Sequence, residues 1–251
     1  MPFLSKVALI AALLSVFVLP GCRKFGNFWD KDDASGKQTG PGGTIPAGPI
    51  SGTMPTSGSY RSNTQVSYTF SDNCSSASIT WVRTGGAADA GGAPAGTHTQ
   101  ALTGPELLSG AHNNITLTNN PTLADGAIYT VTFACTDMAL NVLSPVVATG
   151  VTYDTTLPVI TVTAPASTSY RTTTNVDYSL SEACQSGSIT WTQTGGNADP
   201  GSPRVQALSG AELALGAHSN ITLANNPALV DGAIYSLAFN CTDLAGNAAT
   251  T

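Results

Sequence analysis

The chain repeats itself. Tyr60-Arg61 returns as Tyr170-Arg171, Cys74 as Cys184, Trp81 as Trp191 and Thr84-Gly85-Gly86 as Thr194-Gly195-Gly196, all at an offset of 110. The next loop is four residues shorter in the second copy, and the offset becomes 106. Gly110-Ala111-His112 then returns as Gly216-Ala217-His218, and Cys135-Thr136-Asp137 as Cys241-Thr242-Asp243. Residues 60–86 keep 15 identities in 27 and residues 101–137 keep 25 in 37, which establishes a tandem duplication. A period of about 100 residues is domain-sized rather than solenoid-sized. Each copy must therefore build its own core, and any chemistry within a module is present twice.

Each copy reads as all-β. Val66, Tyr68 and Phe70 alternate with Ser67, Thr69 and Ser71, and Ile79 and Trp81 flank Thr80. Tyr129, Val131, Phe133 and Cys135 fall on one face of a strand and Thr130, Thr132 and Ala134 on the other. This is the period of two expected of half-buried strands. Gly, Pro, Asn and Asp clusters separate the runs, at 84–96, at Asn119-Asn120-Pro121 and at Asp125-Gly126. Residues 104–109 allow a single helical turn at most. Short, closely spaced strands in a unit of this size predict a sandwich. Only 10% of residues are charged and the net charge is −6, which excludes a basic nucleic-acid-binding face.

The first residues form an address. Lys6 precedes a 13-residue apolar run from Val7 to Leu19, too short for a membrane span and suited to a signal peptide. The run ends in Leu19-Pro20-Gly21-Cys22, which resembles the lipobox of bacterial lipoproteins, with Pro20 departing from the usual small residue. The resemblance implies a signal peptide over 1–21, acylation (palmitate) of Cys22 and anchoring to a membrane through the N-terminal lipid. Arg23 stands where an inner-membrane retention Asp is found, so the outer membrane is expected. Residues 22–43 read as a flexible tether, with a mean reach of roughly 25 Å for about 20 residues. Phe25, Phe28 and Trp29 lie close to the anchor, either in the lipid interface or simply on the tether.

The second copy opens with Asp154-Thr155-Thr156-Leu157-Pro158-Val159-Ile160 and later reads Asp231-Gly232-Ala233-Ile234-Tyr235, then Cys241-Thr242-Asp243-Leu244-Ala245-Gly246-Asn247. These segments resemble bacterial immunoglobulin-like repeats. The resemblance covers about 44–251, with one repeat over 44–153 and another over 154–251, and implies tandem immunoglobulin-like β-sandwiches. The first copy departs at the last turn, where Met138-Ala139-Leu140-Asn141 lacks the glycine. Asp125-Gly126 and Asp231-Gly232, three residues before a strand tyrosine, resemble a tyrosine corner with a structural role. Four cysteines allow three pairings. In a seven-strand sandwich the second and sixth strands run the same way in opposite sheets. Cys74 and Cys135 then meet at one end, which predicts Cys74–Cys135 and Cys184–Cys241 as bridges between the sheets. Export supplies an oxidising compartment. Copy one continues through Val146 to Tyr153 as a last strand, whereas Thr251 corresponds to Pro145, so the second copy is expected to lack that strand within the 251 residues. The expectation is that it is the less stable of the two.

No nucleophile elbow, zincin motif or phosphate-binding loop occurs. His98, His112 and His218 read as loop or strand-edge residues, and Glu106 and Glu212 find no convincing acidic partner. The chain is expected not to be an enzyme and to need no cofactor. Asp137, Asp154 and Asp243 fall at turns or at the repeat junction, where they are weak candidates for calcium and stronger ones for turn capping. Trp81 and Trp191 share a face with Ile79 and Ile189, so core packing is expected over sugar stacking. The leading expectation is an outer-membrane lipoprotein, surface-exposed or not, that displays two modules for non-catalytic binding or adhesion to a protein or glycan. The alternatives are a periplasm-facing scaffold and a carbohydrate-binding accessory module.

Overall fold

The structure, a computed structural model, describes residues 50–251. They form an all-β fold in which each repeat is a sandwich. In the first repeat, β1 (Ser51–Met54), β3 (Val66–Phe70) and β6 (Gly110–Ile115) form one sheet in the order β1-β3-β6. The other sheet has the order β2-β8-β7-β4-β5, from β2 (Tyr60–Arg61), β4 (Cys74–Gly86), β5 (Thr97–Ala101), β7 (Ala127–Asp137) and β8 (Val146–Tyr153). The single turn expected after residue 104 is a 3₁₀ turn, Gly104–Leu107. Burial alternates residue by residue along the whole of β7, as the sequence pattern requires of a strand with one face on a core. The core joins Val66, Tyr68 and Phe70 of one sheet to Ile79, Trp81, Tyr129, Val131 and Phe133 of the other.

The second repeat rebuilds this plan with its own core. Its sheets are β9 (Ile160–Ala164), β10 (Val176–Leu180) and β13 (Gly216–Ile221), and β11 (Cys184–Gly196), β12 (Arg204–Ala207), β14 (Ala233–Asp243) and β15 (Ala248–Thr250). The difference lies at β14. In the first repeat β8 pairs with β7 from Ile128 to Phe133 and buries Ala148 and Val151. In the second, β15 pairs only with Asn240, Cys241 and Thr242, and among the described residues no strand lines β14 from Ala233 to Leu237 on that side. Tyr129 is fully buried, but its counterpart Tyr235 is only partly so, and Ile234 is exposed. Among the described residues β2 also has no counterpart in the second repeat. In the first repeat it hangs on β8, and without such a partner Tyr170 stands wholly in solvent.

Both disulfides pair as expected, Cys74–Cys135 and Cys184–Cys241, with Cα separations of 5.9 and 5.7 Å. Their place corrects the expected geometry. They do not cross between sheets. Cys74 opens β4 rather than closing β3, and β4 is the neighbour of β7, so the bridge joins adjacent strands beside a bulge. The reason is that β3 ends at Phe70 and the chain turns through Ser71-Asp72-Asn73 before Cys74.

Candidate functional site

Each repeat holds an aspartate with a buried carboxylate in the loop after β4 or β11. Asp89 accepts hydrogen bonds from the Tyr129 hydroxyl (2.7 Å) and the Gly91 N–H (2.8 Å), and its Oδ2 lies 2.7 Å from His98 Nε2. Tyr129 in turn accepts from the Ala124 N–H, five residues upstream, which is the expected tyrosine-corner geometry. Asp199 and Tyr235 repeat the arrangement, but Arg204 replaces the histidine and grips Asp199 with two bonds of 2.6 and 2.7 Å. Burial pushes the Asp89 carboxyl up, but the bonds from Tyr129, His98 and Gly91 outweigh it and hold the group below its ordinary value. The Arg204 bonds hold Asp199 well below the carboxylate range. Burial, with the Asp89 bond next, pushes the Tyr129 hydroxyl up to about 12. An Asp-His-Tyr cluster suggests proton transfer, yet a guanidinium does not deprotonate and does the same job in the second copy. The arrangement is a clamp that ties the loop to the strand tyrosine.

The other sequence candidates are also held by their own repeats. Glu106 takes the N–H groups of Thr103 and Thr118 at 2.7 and 2.8 Å, so it caps the 3₁₀ turn. Asp125 is bound by the Thr155 N–H and the Thr155 and Thr156 hydroxyls, so these two acids serve separate roles. His112 lies 3.0 Å from the Leu108 carbonyl oxygen and stacks on Tyr68, and His218 does the same with Ala214 and Tyr178. Trp81 and Trp191 are 0% and 4% exposed and donate their indole N–H to Gln100 and Gln206, so neither offers a sugar-stacking face. An open groove of about 480 Å³ lies beside β5, lined by residues that include Thr99, Asn119 and Asn120.

Asp137 and Asp243 are turn caps. Asp137 accepts from the N–H groups of Ala139 and Asn141 and the Asn141 amide, and Asp243 from Ala245, Asn247 and the Asn247 amide. The shared cap holds an unlike residue at one turn position. Gly246 has φ of +90°, and Leu140 sits in the same left-handed region at +66°. A left-handed leucine costs about 1–2 kcal/mol, of which glycine's extra chain entropy cancels ~0.5–1. Leu140→Gly is therefore expected to stabilise the first repeat by about 0.5 kcal/mol. Thermal denaturation measures it, and an unchanged or lower melting temperature would contradict the strain.

Where the repeats join, Asp154, Glu182 and Asp243 place carboxylate oxygens within 4.8 Å of one another, and among the described residues this is the group that could hold a metal ion. Asp137 is not part of it, and sequence reading missed Glu182. Asp243 has already spent three of about four lone-pair sites on its own turn. The junction is stitched by Asn247 Nδ2 to the Asp154 carbonyl (3.0 Å) and by the Ser62 hydroxyl to the Ala245 carbonyl (3.0 Å). Burial, then repulsion from the neighbouring acids, pushes the Asp154 and Glu182 carboxyls above their ordinary values. A raised folded-state carboxyl favours the fold while it is protonated, and that advantage fades as pH rises through its folded value. Glu182→Gln is thus expected to stabilise the chain at pH 7 by a few tenths of a kcal/mol, screened by salt, and to make no difference at pH 3. Urea melts at the two pH values check this.

The expected signal peptide over 1–21, the expected lipidation site Cys22 and the expected tether over 22–43 lie outside the described residues. No described helix is long and apolar enough to cross a membrane. No protein-family model and no curated protein matches the chain.

Proposed function

We propose that the chain is a lipid-anchored envelope protein that displays two immunoglobulin-like modules for non-catalytic binding or adhesion. One observation carries the non-catalytic part. The pairs Asp89/Asp199, Glu106/Glu212, Asp137/Asp243 and His112/His218 are engaged in bonds that hold loops, caps and turns, and Arg204 at the position of His98 keeps the clamp while removing any proton shuttle. The anchor rests on Leu19-Pro20-Gly21-Cys22 after its apolar run. The buried tryptophans weigh against a stacking-type carbohydrate module, and a periplasm-facing scaffold remains the second reading. Radiolabelled palmitate fed to cells expressing the chain is expected to label it, and Cys22→Ser is expected to abolish the label. An unlabelled wild-type chain would remove the anchor from the account.

A further inference from the structure

We propose that the loop between β7 and β8 of the first repeat rests on the lipid surface to which the chain is anchored, with Met138, Leu140 and Val142 as its contact. The inference builds on the lipid-anchor reading above. The three side chains are 69%, 76% and 79% exposed, more than any other large apolar residue described in the first repeat. They crowd into one tip, whereas scattered exposed apolar residues are the norm on a soluble surface.

The second repeat shows what this loop is for when protein lies beyond it. There the same loop faces the module that precedes it, through Ala245 on Ser62 and Asn247 on Asp154. At the positions of Leu140 and Val142 it has Gly246 and Ala248. The copy with a protein neighbour is thus the less apolar one. In the first copy an apolar side chain is kept at Leu140 even though the turn holds that position at a positive φ. A strained leucine that is also exposed gains nothing from its own fold.

The chain's path names the surface. The described chain begins at Ile50, and β1 starts opposite Thr69, at the end of β3 near the turn that leads to Cys74. Cys74 pairs with Asp137, the residue before the loop. The chain therefore enters the first repeat at the end that carries Met138 and Leu140, while the junction with the second repeat lies at the other end of the 11-residue β7, roughly 35 Å away. Cys22 precedes Ile50 by 28 positions, and the chain coming from it enters the first repeat at the apolar end. The net charge of −6 argues for insertion of apolar side chains rather than attraction to acidic headgroups.

The methionines supply the test, since the chain has only Met1, Met54 and Met138. The lipidated chain, labelled with ¹³C at methionine methyls, is reconstituted into phosphatidylcholine vesicles carrying a little gadolinium-chelate lipid. Met138 is expected to broaden several-fold more than Met54, which is 38% exposed and pairs with Ser67 further along the sheet. High salt is expected to leave the difference intact. Leu140→Asn, which tolerates the same backbone, combined with Val142→Thr is expected to reduce it while the chain stays with the vesicles. Equal broadening of the two methionines, or a sharp Met138 on a vesicle-bound chain, would overturn the proposal alone. A wild-type chain that does not float with the vesicles would overturn the anchor reading and this contact together.

Discussion

In the 251-residue chain, reduction of the disulfides is expected to melt the second repeat well before the first. Each bridge closes a loop of about 60 residues, with sequence separations of 61 and 57, and so contributes about 4 kcal/mol on chain-entropy grounds. For a domain of this size that corresponds to a fall of roughly 15–30 °C in melting temperature. The repeats lose similar amounts but start from different reserves. The first has β8 over β7, with Val131, Tyr129 and Val151 fully buried. The second leaves Ile234 60% exposed and Leu237 only partly covered along the open side of β14. Calorimetry of the 251-residue chain is expected to show two transitions, and the lower one is expected to move into the physiological range when reductant is added. The Cys184→Ser, Cys241→Ser double variant is expected to shift only that lower transition. A second repeat that melts together with the first, oxidised and reduced, would contradict the open-edge argument.

Asp89→Ala is expected to destabilise the first repeat by about 3 kcal/mol, because it strands three donors that now meet one buried carboxylate. The Tyr129 hydroxyl keeps its bond from Ala124 but loses its acceptor. The sign with pH follows from the depressed carboxyl. A carboxylate held below its ordinary value of 3.8 stabilises the fold fully above that value and loses its contribution as pH falls through the lower folded value. The gap between wild type and variant is therefore expected to be widest at neutral pH and to close in strong acid. Asp199→Ala is expected to act in the same direction on the second repeat. Denaturant melts of both variants at pH 7 and in strong acid check this, and a gap that widens in acid would contradict the clamp.

Much of the fold was legible because duplication doubles every signal. Alternation in 66–70 and 127–137 located strands, and the paired recurrence of four cysteines made the two bridges readable. The bridge geometry was misread because Cys74 was placed at the end of the strand before it. Ser71-Asp72-Asn73 has the turn chemistry that would have moved it to the start of the next. The aspartate clamp escaped because its bonds span nine and forty positions, beyond any local pattern. Its one signal was an Asp kept at offset 110 within a loop that otherwise changes length. Glu182 was hidden for another reason. Its neighbours Asp154 and Asp243 come from the linker and from a distant turn, and only the join between the repeats brings them together.

Surface display is the central claim, and protease shaving of intact cells tests it most directly. Protease is expected to cut in the Gly- and Pro-containing sequence before Ile50 and to spare the disulfide-bridged sandwiches. The account predicts that protease added to unbroken cells removes both repeats from the cell fraction and releases them as folded fragments, while periplasmic markers stay intact. Repeats that remain protected until the outer membrane is breached would contradict it and leave the inward-facing scaffold as the reading to pursue.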